Sequence, residues 1–191
     1  FNYENGEAWN AINRILSSKK MHLIGLHVHI GTYITISKPY AVAIEKLATL
    51  ANKTYDRFQK SIGYIDVGGG FASQNTLQGA YMPATDTTPS FDDYAHAITT
   101  AMTAADFPNN ETPTLILETG RALIDDAGWL AGTVLANKRL ADGRRSMVID
   151  AGVNLMFTSF WYDHEIYPVH ESSYQSEPTT IYGPLCMNID I

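Results

Sequence analysis

"HLIGLHVHIGTY", residues 22–33, decides how the rest of the chain is read. Its first nine residues are a nearly continuous apolar run with histidines at the far end, the pattern of a strand buried on both faces. Side chains alternate across a strand, so His27 and His29 point to the same side. Such a pair can be two metal ligands, two satisfied core histidines, or something else.

On either side of this stretch the period changes. Residues 7–16, "EAWNAINRIL", and 38–58, "KPYAVAIEKLATLANKTYDRF", carry apolar residues at helical spacing, and Pro39 suits a first turn. "GYIDVGGG" at 63–70 reads as a second strand, "FDDYAHAITTAMTAADF" at 91–107 as a helix, and "TPTLILETGR" at 112–121 as a third strand. Strands alternating with helices imply an α/β fold with parallel strands joined by crossover helices. All three strands end in site-like residues: His29 to Thr32, Asp66 to Gly70, and Glu118 to Arg121. In a parallel barrel that edge gathers the functional loops.

After about Gly128 the pattern becomes mainly β. "GWLAGTVLANKRL", "RRSMVIDAG" and "TTIYGPLCMNIDI" read as strands punctuated by Asp-Gly and Gly-Pro turn signals. We therefore expect one domain over residues 1–127 and the start of a β-rich domain over 128–191. The chain begins at Phe1 and stops inside an apolar run, so it reads as an internal piece of a longer protein.

Composition narrows the function classes. A formal charge of −7 with acids and bases interspersed offers no basic stripe for nucleic acid. No run reaches the roughly 18 apolar residues that span a bilayer. A single cysteine, Cys186, leaves no internal disulfide framework and fits a reducing, cytoplasmic compartment.

Three glycines after a strand, Gly68, Gly69 and Gly70, let backbone N–H groups approach a ligand closely, and such a nest favours a phosphate over a merely tight turn. The loop fits neither the dinucleotide fingerprint nor the lysine-bearing nucleotide loop. Glu118 and Arg121 can form a plain ion pair, or can serve a protonated ring nitrogen and an anion separately. Cys186 alone would be a small buried hydrophobe, and Asp163 with His164 a polar patch at a strand end.

Taken in order, "HIGT" (29–32), "DVGGG" (66–70), "ETGR" (118–121), "DAGVN" (150–154), "WYDHEI" (161–166) and "GPLCMNID" (183–190) resemble the fold-type III pyridoxal-phosphate decarboxylases, the family of ornithine, arginine and diaminopimelate decarboxylases. The resemblance implies the last three βα units of an alanine-racemase-like (β/α)8 barrel, followed by part of a β-rich C-terminal domain. It implies pyridoxal 5'-phosphate as cofactor and decarboxylation of an amino acid. It places His29 on the pyridine ring with Thr32 close by, Gly68, Gly69, Gly70 and Arg121 around the phosphate, and Glu118 on the pyridinium nitrogen, which keeps the ring an electron sink. His27, deeper in its strand, is then a structural residue of the barrel interior. Cys186 would protonate the carbanion left by decarboxylation, at the cofactor of a partner subunit, so a homodimer with shared active sites is expected. Asp163 and Asp190 would face the substrate. The Schiff-base lysine and the tyrosine that closes on the phosphate would lie outside this stretch.

Met187 stands after Cys186 where ornithine and diaminopimelate enzymes carry an acid, and "LMFTSFWYD" lacks the arginine of diaminopimelate enzymes. Relatives acting on carrier-protein-bound amino acids share that form, so the substrate class stays open between free and carrier-bound amino acids. One rival reading is a metal-dependent barrel hydrolase using the His27/His29 pair, which would need more ligands at later strand ends. Those ends offer Asp66, glycines and a Glu-Arg pair, with no further histidine. The other rival is a non-catalytic homologue with a regulatory binding role, against which the retention of His29, Glu118, Arg121 and Cys186 argues.

Overall fold

The structure, a computed structural model, describes residues 2, 3, 5–170 and 176–191. It divides into two compact units, Phe1–Ser73 with Thr88–Leu123, and Gln74–Thr87 with Ile124–Ile191.

The first unit holds α1 (Glu7–Leu16), β1 (Gly25–His27), α2 (Lys38–Phe58), β2 (Tyr64–Asp66), α4 (Phe91–Ala104) and β3 (Thr114–Ile116); the short α3 (Ala84–Thr87) belongs to the second. The strands form one parallel sheet in the order β1-β2-β3. The α/β class with a parallel sheet is thus as expected, and α1 and α2 cover the ranges their periodicity predicts. The expected helix over 91–107 ends at Ala104, since Phe107 is extended before Pro108.

Helix α2 starts with Pro39 in its first turn and buries Tyr40, Ile44, Leu47, Ala51 and Thr54, one stripe at helical spacing. Helix α4 starts on a capping box: the Ser90 hydroxyl accepts from the Asp93 N–H at 3.1 Å, and the Asp93 carboxylate accepts from the Ser90 N–H at 2.9 Å. Its Tyr94, Ile98, Ala101 and Met102 complete the core with α2, Ile65 and Val67, while Leu26 and Leu115 pack against it.

Within this chain the helices cover one face of the sheet. Leu26, Ile65 and Leu115 lie side by side in register and face the helices. Their neighbours His27, Asp66 and Ile116 occupy the opposite, open face.

In the second unit, β4 (Val134–Arg139) and β5 (Arg145–Ile149) make an antiparallel hairpin, and β6 (Thr179–Tyr182) pairs with β5 in parallel. The Asp-Gly turn forms as its chemistry demands, with Gly143 at φ +86°. The expected strand over "TTIYGPLCMNIDI" stops at Tyr182. Pro184 has no N–H to give a ladder, and the N–H of Leu185 donates to Asp190 instead.

Residues 74–87 read as a polar loop, yet they take part in the second unit. Leu77 bridges Tyr162 in antiparallel fashion, the Gln78 N–H donates to the Trp161 carbonyl at 2.8 Å, and the Asp163 N–H donates to the Thr76 carbonyl at 2.8 Å.

Candidate cofactor and active site

Register builds the site. His27 and Asp66 are cross-strand neighbours on the open face, and Glu118, two residues beyond Ile116, falls on that side as well. His27 Nδ1 stands 3.2 Å from an Asp66 carboxylate oxygen and 3.9 Å from one of Glu118. His27 lies on the sheet face away from the helices, the side that faces inward in a parallel barrel, and within this chain it is half exposed beside two acids. The two histidines do not act as a pair. Among the described residues the set whose ligand atoms converge within 4.8 Å is His27, Asp66 and Glu118, while His29 Nδ1 lies against Gly68.

The three glycines sit where the loops after β1, β2 and β3 meet. A Cβ on Gly68 would stand 2.8 Å from the Val28 carbonyl oxygen and 3.0 Å from His29 Nδ1. On Gly69 it would be 2.5 Å from the Glu118 carbonyl oxygen, and on Gly70 2.0 Å from that of Gly31. Gly68 and Gly70 also have φ of +70° and +87°, which only glycine adopts cheaply. Loop contact therefore accounts for the glycines as directly as ligand approach does.

The carbonyls of this turn are all engaged. Gly68 accepts from the Glu118 N–H at 2.9 Å, Gly69 from the Tyr40 hydroxyl at 2.9 Å, and Gly70 from the Ile34 N–H at 2.8 Å. The Gly68 N–H donates to Asp66 at 2.8 Å, an Asx-type turn. The N–H groups of Gly69 and Gly70 donate to no other group among the described residues. Two successive amides with no acceptor among the described residues have the donor set that a phosphate takes.

Sequence reasoning missed Tyr40 and Tyr94. Tyr40 stacks on Phe71 at 4.7 Å, and Tyr94 meets both rings edge-on. The Tyr94 hydroxyl donates to the Ile34 carbonyl and accepts from the Ala72 N–H at 3.3 Å. Burial, then the neighbouring Tyr94, pushes the Tyr40 phenol far above its ordinary range, and burial raises Tyr94 too. A tyrosine within an apolar helical stripe carries no signal of a loop-holding role.

The remaining expected residues are placed as follows. His29, Thr32 and Glu118 are exposed, and Arg121 opens the short α5 (Arg121–Ile124), partly buried. In the second unit Asp163 is exposed on a cavity of about 370 Å³ that it shares with Gln74, Thr76, Tyr81, His164 and Glu165. The His164 Nε2 is buried there with no partner among the described residues. Cys186 is exposed. Asp190, expected to face the substrate, is only 2% exposed, and its carboxylate accepts from the Val153 and Leu185 N–H groups at 2.8 and 2.7 Å. Those partners belong to its own and an adjacent loop, so within this chain the carboxylate is turned inward.

Among the described residues no helix is long and apolar enough to cross a membrane. Residues 1–125 match the family described as pyridoxal-dependent decarboxylase, pyridoxal binding domain. The chain is 30% identical to diaminopimelate decarboxylase of Methanocaldococcus jannaschii over 98% of its length and 41% of the relative's. It is 28% identical to that of Bacillus subtilis over 81% of its length and 34% of the relative's. A solved diaminopimelate decarboxylase structure from M. jannaschii superposes with a TM-score of 0.76 at 28% identity, covering 98% of this chain and 41% of that one. One from Helicobacter pylori, in complex with L-lysine, gives 0.73 at 26% identity over 95% of this chain and 42% of that one. The chain thus spans 34–42% of the length of these proteins.

Proposed function

The chain belongs to the pyridoxal-dependent decarboxylases, through their pyridoxal-binding domain, and from that premise we propose that it is the cofactor-holding part of an amino-acid carboxy-lyase with a diaminopimelate-like substrate. The observation that carries this is the Gly68–Gly70 turn, with two unpartnered amides among the described residues, His29 over Gly68 and Glu118 beside Gly69.

When bound, pyridoxal phosphate supplies a sink for the electron pair released as a carboxylate leaves. The residues present fit it. The Gly69 and Gly70 amides and the Arg121 guanidinium would hold the phosphate. Glu118, on the open face, would accept from a protonated ring nitrogen, with His27 and Asp66 beside it. His29, beside Gly68, would stack on the ring, with Thr32 at the same loop. Cys186 would serve as the proton donor, from Sγ. Asp163, on the polar cavity, takes the cationic distal group of the substrate. We place residues 1–127 in a (β/α)8 barrel of the alanine-racemase type and 128–191 in a β-rich domain. Two unpaired sheet edges and the uncovered Tyr64 and Ile116 support a barrel that continues beyond three strands. The active form is a cytoplasmic homodimer with shared sites.

The full-length protein tests this. It should develop a visible absorbance band with pyridoxal phosphate and release carbon dioxide from diaminopimelate in preference to ornithine, lysine or arginine. The band without carbon dioxide from any free amino acid would sink the reading. Met187, exposed beside Cys186, favours one further substrate, an amino acid tethered to a carrier protein, assayed in the same way.

A further inference from the structure

The loop 183–190 is folded around one carboxylate. Asp190 Oδ1 accepts from Val153 N–H at 2.8 Å and Oδ2 from Leu185 N–H at 2.7 Å, while the Asp190 carbonyl accepts from Gly183 N–H at 2.9 Å. The Asp190 N–H donates to the Met187 carbonyl at 3.2 Å, closing the turn that presents Cys186. The carboxylate is so tightly housed that a Cβ on Gly152 would lie 2.2 Å from it, and one on Gly183 2.3 Å. Glycines at "DAG" and "GP" are thus explained by a single side chain between them.

Burying a carboxylate is costly unless directional, charge-assisted bonds compensate it. A loop that needed only packing would be served by an apolar side chain. The bond to the Leu185 N–H fixes the Pro184–Leu185 peptide, one residue before Cys186, and the bond to Val153 N–H ties the same carboxylate to another loop of the unit. Cys186 and Met187, by contrast, are both exposed.

We propose that Asp190 is a positioning residue, a buried backbone staple that fixes where the Cys186 thiol is presented, and that it does not contact the substrate. The proposal rests on the reading of Cys186 as the proton donor.

The test uses full-length holoenzyme with Asp190→Asn, and with Gly183→Ala as a second variant that displaces the carboxylate without removing it. Asparagine turns an NH2 group against one of the two N–H donors. Hydrogen exchange at Leu185 and Val153 should accelerate about tenfold to a hundredfold, the loss of a hydrogen bond to a charged group. Cofactor uptake and KM should stay as in wild type. The turnover number should fall, and amine formed per carbon dioxide released should drop to the level expected of Cys186→Ala, because the carbanion is protonated elsewhere.

An unchanged amine yield and turnover in Asp190→Asn would overturn the proposal. So would loss of cofactor uptake in step with turnover, which would make Asp190 a support of the fold alone. A Cys186→Ala enzyme with a normal amine yield would refute the reading of Cys186 itself. A defective Cys186→Ala beside a silent Asp190→Asn would refute only the staple.

Discussion

Gly70→Ala should be among the most damaging small substitutions in the first unit. Two costs combine. At φ +87° an alanine incurs the left-handed penalty, about 1–2 kcal/mol. Its Cβ would also stand 2.0 Å from the Gly31 carbonyl oxygen, a backbone atom of a packed turn, and overpacking of that kind adds about 1–3 kcal/mol. Gly79 is the internal control: at φ +73° it has the same conformational demand, and a methyl added there would meet nothing within 4 Å. Gly79→Ala should therefore cost only the left-handed penalty. The difference between the two variants, about 1–3 kcal/mol, corresponds to roughly a five- to 150-fold change in an opening equilibrium. Guanidinium unfolding of the full-length protein, with exchange of the Ile34 amide that donates to Gly70, measures it. If Gly70→Ala were no worse than Gly79→Ala, the close contact between the two loops would not be a constraint, and the account of the glycines would fall back on the ligand alone.

Three further residues and one cap give expected outcomes. Tyr40→Phe removes the hydroxyl donor from the buried Gly69 carbonyl and should cost about 1–3 kcal/mol in urea unfolding, with weaker cofactor retention. Because burial raises the folded-state values of Tyr40 and Tyr94 above those of the unfolded chain, the unfolded state loses these protons first, so stability should fall as pH rises above about 10; a phenolate absorbance change that preceded unfolding would contradict this. Hydrogen bonds from Ser90 hold Asp93 below the usual carboxylate range, so the cap of α4 is intact above about pH 4 and is lost as pH falls through the folded value, visible as faster exchange of the first-turn amides. On the proposed role of Arg121 at the phosphate, Arg121→Ala should raise the dissociation constant for pyridoxal phosphate about tenfold to 100-fold, read by absorbance titration.

Local pattern makes the first unit legible. The stripe from Tyr40 to Thr54 has one period and one solution, and three apolar runs ending in polar residues lead to parallel strands with their functional ends together. Non-local pairing is less visible. Nothing within residues 74–87 says that they will ladder with Tyr162, because the hydrogen bonds are made by backbone. His27 is hard to place for a related reason: alternation gives the face, but which face the helices cover is decided by packing. The chemistry of "GPLCMNID" is legible as a motif, yet its Asp190 turns inward, since a carboxylate followed by a chain turn can serve a backbone as readily as a ligand.

The ladder between residues 74–87 and Tyr162 has a temporal meaning. Gln78 donates its side-chain amide to the Ser159 carbonyl, 81 residues further on. At the usual ribosomal pace of about 5–20 residues per second, residues 74–87 emerge roughly 4–16 s before the strand-like partner they dock with. By the time Ser159 is made, the whole of the first unit, which ends at Leu123, has been synthesised, while the excursion still waits for its backbone partners at Trp161 and Tyr162.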